Sequence, residues 1–128
     1  MSIDCDPSIQ AWMHERSGLP LQRDFWGIAR RVRGEIVAAF GFDSFQPAGC
    51  QLHLCVTQPS GITRSLLKAV FKTAFEQWQY EYLAAIIQEH NIKSLKMAGR
   101  LGFQECGCIP GQLWFGVMRR EQCRWLKL

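Results

Sequence analysis

The chain has 128 residues, 48% of them hydrophobic and 20% charged, a composition that excludes a disordered segment and fits one globular domain over residues 1–128. Fifteen Lys and Arg against eleven Asp and Glu leave a net +4, which suits an anionic small molecule and falls short of a nucleic-acid binder's dense basic surface. No apolar run approaches membrane-spanning length, and the acidic start, MSIDCDPSIQ, is no signal peptide, so a cytoplasmic protein without a membrane partner is expected. The six cysteines are then thiols, and the single residue between Cys106 and Cys108 is too few for a zinc knuckle, so no metal site is expected.

Residues 1–20 are expected to hold a helix. Asp6-Pro7 has the form of an N-cap followed by proline, Ile9, Trp12 and Met13 give an apolar face, and Gly18 with Pro20 ends it. Residues 25–32 (FWGIARRV) and 35–42 (EIVAAFGF) read as strands joined by a tight Arg33-Gly34 turn. After a second turn at 43–49, residues 51–56 (QLHLCV) alternate like a half-buried strand, completing an antiparallel meander. Residues 57–78 then pass from a Pro-Ser-Gly turn into a helix whose buried face is Leu67, Val70, Phe71, Ala74, Phe75 and Trp78. Strand, glycine turn and helix start together form a candidate anion site, because free amides and the helix dipole meet there.

Further on, 82–87 (YLAAII) is a continuous apolar run expected to be a strand buried on both faces. Residues 91–101 read as a second helix stopped by Gly102, and 103–109 and 113–118 as strands around Pro110-Gly111. The basic segment 119–128 is taken as a C-terminal strand or tail, with Trp125 exposed. The order predicts an α/β (α+β) sandwich around a mixed, mostly antiparallel sheet of six to seven strands flanked by helices.

Two stretches resemble the GCN5-related N-acetyltransferase superfamily. Gln58-Pro59-Ser60-Gly61-Ile62-Thr63-Arg64 is similar to the family's acetyl-coenzyme A loop, and Asn91-Ile92-Lys93-Ser94, Ala98 and Leu101-Gly102-Phe103 to its Asn-x-x-Ser/Ala…Leu-Gly-Phe helix. The form of the second stretch is closest to the ribosomal-protein N-acetyltransferase branch and to short bacterial and bacteriophage members. The resemblance implies the acyl-CoA N-acyltransferase fold, acetyl-coenzyme A as co-substrate and an amine acceptor. It also implies a homodimer, the frequent state of compact members. It places the pyrophosphate on Gln58, Ser60, Gly61, Ile62, Thr63 and Arg64. The pantetheine falls on the backbone of Leu54, Cys55 and Val56 and on Asn91. Gly61 should let the chain approach the phosphates, so Gly61→Glu is expected to block the ligand and spare the fold. Two departures stand out: Thr63 replaces a small residue, and Ala98 occupies the place of the family's Tyr, which protonates the departing thiolate.

Ser94 is then the candidate proton donor and His53 the candidate base, its ordinary pKa lying near the working pH. Glu35 and Glu89 are reserves, Trp26 and Phe45 candidate acceptor contacts, and Cys55 a thiol near the thioester. Each has a structural alternative: a packed histidine, a surface serine, an Asn91 that only caps its helix, solvated carboxylates, core aromatics. The expected function is acetyl transfer from acetyl-coenzyme A to a primary amine of a protein, peptide or small molecule by direct attack. The alternative is an inactive coenzyme A-binding or protein-interaction module on the same fold.

Overall fold

Arg33 and Gly34 sit at φ 55° and 81°, a pair of left-handed residues whose twist matches that of the strands they join. The turn closes β2 (Trp26–Val32) onto β3 (Glu35–Asp43), and β4 (Gly49–Val56) continues the meander. The computed structural model describes residues 2–127; Met1 and Leu128, included in the expected N-terminal and C-terminal regions, lie outside them. A short strand β1 (Ser2–Asp4) precedes the expected helix and pairs with β2. It is clamped by Arg31, whose guanidinium reaches Asp4 at 3.0 Å and Asp6 at 2.9 Å.

Beyond β4 come α2 (Arg64–Lys72), β5 (Tyr82–Gln88), α3 (Ile92–Leu101), β6 (Gln104–Ile109) and β7 (Leu113–Arg119), with α1 (Ser8–Ser17) earlier in the chain. The strands form one seven-stranded sheet in the order β1-β2-β3-β4-β5-β7-β6. Every neighbouring pair is antiparallel except β4–β5. This mixed sheet with flanking helices is the acyl-CoA N-acyltransferase fold.

The two faces are packed differently. Phe40, Phe42, Leu52 and Leu83 meet Leu66, Val70, Phe71 and Phe75 of the α2 segment, together with Ala98 and Leu101 of α3. On the opposite face α1 sets Ile9 and Met13 over β2 and β3. It lies close because glycines floor it: a Cβ on Gly27 would come within 2.6 Å of the Ile9 side chain.

The long helix expected over 57–78 is regular only to Lys72. There the Thr73 hydroxyl donates back to the Ala69 carbonyl at 2.8 Å, and residues Thr73–Gln77 wind as a π-turn. The wider turn carries Trp78 among Phe42, Trp26, Phe45 and Tyr80, with ring centroids 5.0 to 6.1 Å away.

Two expectations fail. β5 is not buried on both faces, since Ile86 is 43% exposed. Its apolar run continues past the point where β4 leaves it, and α1 packs chiefly on β2, β3 and β4. The segment after Arg119 is neither strand nor loose tail but two 3-10 turns, Arg120–Gln122 and Arg124–Lys127. Trp125 is half-buried there, its indole N–H donating to the Leu101 carbonyl at 2.8 Å. Trp125 is therefore not the exposed side chain expected.

Candidate active site

β4 and β5 are the one parallel pair, and they stay paired for only three rungs: Gly49 with Tyr82, Cys50 with Leu83, and Gln51 with Ala84. Past those rungs β4 follows β3 and β5 follows β7, so the two strands part. The Thr57 amide bonds the Val37 carbonyl at 3.0 Å. Backbone alternation therefore turns Cys55 and His53 toward β3, and Leu54 and Val56 toward the opening. On the other bank, the Glu89 amide donates to the Gln112 carbonyl at 2.9 Å, which by the same alternation turns the Ile86 backbone inward. Leu54, Val56 and Ile86 thus present peptide groups with no strand partner, which an extended ligand can pair with. Cys55, expected to share this role, has its backbone committed to Ala39.

Because the two strands run parallel, the segments that follow them emerge at the same end. After β4, Gln58 precedes a 3-10 turn over Pro59–Gly61, and Thr63 caps α2 by accepting the Leu66 amide at 3.2 Å. The Gly61 amide is spent inside the turn on the Gln58 carbonyl at 2.8 Å. The amides of Ile62, Thr63, Arg64 and Ser65 have no acceptor among the described residues. Four free N–H groups at a helix N-terminus, with the exposed Arg64 side chain beside them, suit a pyrophosphate. Arg30 of β2 braces this loop, donating to the carbonyls of Ser60 and Gly61 at 3.3 and 3.4 Å. Sequence reasoning missed Arg30, since nothing in a strand Arg signals a contact with a residue thirty positions away.

Gly61 has a packing role in addition to the one expected. A Cβ there would sit 2.8 Å from the Val37 carbonyl oxygen and 3.2 Å from Ala38 Cβ, so the glycine is needed for packing on β3. Gly61→Glu would disturb the fold before it reached a ligand.

After β5, Asn91 caps α3, its side-chain oxygen accepting the Ser94 amide at 3.2 Å. The Ser94 hydroxyl makes no bond among the described residues and is half-buried. Ala98 is enclosed by the core. Glu89 is occupied, accepting the Gly111 amide at 2.8 Å and holding the β6–β7 turn. Trp26 and Phe45 stack edge-on against Trp78. Glu35 borders an open groove of about 400 Å³ between α1 and the β2–β3 hairpin, with Trp12, Glu15, Arg16 and Arg31.

His53 stands on the α1 face of β4, two residues past the last rung shared with β5. Its Nε2 lies 2.9 Å from Asp43 Oδ1. Cys55 follows on the same face; burial pushes its thiol up, against a smaller opposing pull from Arg16, which keeps it a poor nucleophile.

The match to known proteins now decides the family. The model of the Acetyltransferase (GNAT) domain matches residues 5–104. The chain belongs to the GNAT acetyltransferases. It is an acyltransferase that uses acetyl-coenzyme A as co-substrate.

Among solved structures, N-acetyltransferase PseH of Campylobacter jejuni in complex with acetyl coenzyme A is 17% identical with TM-score 0.62, over 77% of this chain and 70% of that one. A mutant form of the spermidine/spermine N-acetyltransferase SpeG of Vibrio cholerae is 10% identical with TM-score 0.73, covering 98% of each chain. A dodecameric spermidine N-acetyltransferase from the same organism is 9% identical with TM-score 0.70, over 93% and 94% of the two chains. These likenesses show a shared fold. No curated protein sequence matches the chain.

Proposed function

We propose that the protein, acting as a single domain over residues 1–128, moves an acetyl group to a primary amine by direct attack of the amine. The observation that supports this best is the parting of β4 from β5 after Gln51 and Ala84, with the starts of α2 and α3 at the same end of the opening. Acetyl-coenzyme A, when bound, supplies a thioester already activated toward amines. The chain's task is to position, polarise and move protons. Ile62 to Ser65 offer amides to the diphosphate, and Leu54, Val56 and Ile86 offer backbone pairing to the pantetheine. The Leu54 and Val56 amides are also the donors available to a carbonyl lodged in the opening.

His53 takes the proton from the acceptor's ammonium form. With Ala98 lacking a hydroxyl, Ser94 is the nearest replacement on α3 for delivering a proton to the leaving sulfur. Cys55, held as a thiol by burial, takes no covalent part. The groove between α1 and the β2–β3 hairpin holds the part of the acceptor remote from the reacting amine. Its Glu15 and Glu35 carboxylates have no partner among the described residues and suit a cationic amine. The ribosomal-protein-type branch, a cytoplasmic setting and a homodimer belong to the same proposal; light scattering reads the last directly.

The decisive assay follows release of coenzyme A thiol from acetyl-coenzyme A with spermidine, a lysine peptide and a peptide with a free N-terminus. Amine-dependent release by at least one of them is expected. Acetyl-coenzyme A binding without release across all three would sink the transfer reading in favour of a binding module.

A further inference from the structure

Asp43 is the only fully buried charged side chain among the described residues, 1% exposed. A carboxylate removed from water must be paired. Its Oδ1 meets His53 Nε2 at 2.9 Å, while the imidazole keeps 21% of its surface exposed. The pairing follows from register. Gly41 lies opposite His53 and Asp43 opposite Gln51, so Asp43 and His53 are diagonal neighbours on one face of the β3–β4 pair. That face is the one α1 covers, and Gln51 and Cys55 flank His53 on its own strand, with Arg16 of α1 acting on Cys55.

We propose that Asp43 is a positioning residue that holds the His53 proton on Nε2 and leaves Nδ1 as the basic nitrogen at the mouth of the β4–β5 opening. This rests on the base role assigned to His53 above. An ionised carboxylate only accepts hydrogen bonds, so the ring nitrogen it touches must carry the proton. In the neutral imidazole the other nitrogen, Nδ1, then holds the lone pair. His53 begins the stretch of β4 that β5 no longer covers, so the free nitrogen belongs to the exposed side of the ring. Nδ1 takes one proton from the acceptor's ammonium group and returns it to solvent after transfer. Asp43 accepts the Nε2–H hydrogen bond throughout and keeps the ring in place.

The test uses the intact protein with ¹⁵N-labelled histidine. Long-range ¹⁵N–¹H correlation of neutral His53 is expected to show Nε2 protonated and Nδ1 bare, with a slowly exchanging Nε2 proton. In Asp43→Ala, which removes the acceptor, that slow exchange is lost. The kcat with spermidine as probe amine falls at least tenfold while KM for acetyl-coenzyme A stays within about twofold. An Nδ1-protonated ring in the wild type, or an unchanged Nε2 proton in Asp43→Ala, overturns the proposal whether or not the variant is less stable. Full activity of His53→Ala would instead overturn the base role. The tautomer spectrum tells that failure apart from a failure of the Asp43 contact.

Discussion

The Thr63 hydroxyl accepts the Leu66 amide at 3.2 Å, and that bond determines which donors at the start of α2 remain free. Capping uses one amide and leaves the two before it, on Arg64 and Ser65, pointing outward. A residue that departs from the family's small-residue pattern thereby tidies the helix end instead of crowding it. Thr63→Ala is expected to lower the unfolding free energy by about 1 kcal/mol, and Thr63→Ser by a few tenths. Urea unfolding at neutral pH measures both; equal losses would mean that the hydroxyl contributes nothing.

Arg64 gives a cleaner probe of the ligand than Gly61. Its side chain is exposed and makes no ion pair among the described residues. At the positive end of α2 a cation is slightly unfavourable and a carboxylate favourable, by about 0.3–1 kcal/mol. Arg64→Glu should therefore leave the ligand-free protein as stable as before or slightly more so. It should weaken acetyl-coenzyme A at least tenfold in calorimetry, because a carboxylate replaces the cation beside the diphosphate. Undiminished affinity would remove Arg64 from the phosphate site.

Much of this architecture was legible because local signals and global packing agree. Arg33-Gly34, the alternation of 51–56, the α2 face from Leu67 to Phe75 and the Gly102 stop all have short-range causes that appear in the structure. What was not legible depends on partners distant in sequence. The exposure of Ile86 follows from β4 leaving β5 after three rungs, which an apolar run cannot announce. Arg30 bracing Ser60 and Asp43 meeting His53 are contacts across strands, set by register. Gly61 is expected from the sequence to matter only for closeness to phosphate, and its packing against the Val37 carbonyl, a contact with β3, is not visible there.

Trp125 closes the C-terminal segment onto α3. Its indole N–H bonds the Leu101 carbonyl at 2.8 Å, the Arg124 guanidinium lies 4.5 Å from its ring centre, and neighbouring Cys123 is buried in the core. Trp125→Phe keeps most of the apolar contact and loses the hydrogen bond, so about 1 kcal/mol of stability should go. Trp125→Ala should cost about 3 kcal/mol by removing the ring as well. Thermal melting separates the two. If both variants melt with the wild type, the tail is not anchored through this residue.

Cys50 links burial to alkaline stability. Its thiol is pushed from 9.0 up to about 12, first by burial and then by the Asp43 carboxylate. The folded state therefore holds the proton more tightly than the unfolded chain. Below pH 9 both states carry it and the contribution to stability is fully present. Between pH 9 and 12 only the unfolded chain gives it up, so stability falls by about 1.4 kcal/mol per pH unit from this group alone. Other groups titrate in the same range, so the informative quantity is the difference between wild type and Cys50→Ala. That difference in unfolding free energy should be constant from pH 6 to 8 and shrink by about 2 kcal/mol by pH 10.5. A difference that does not change with pH would show that the Cys50 thiol ionises alike in both states, and that its enclosure by the core does not reach the sulfur.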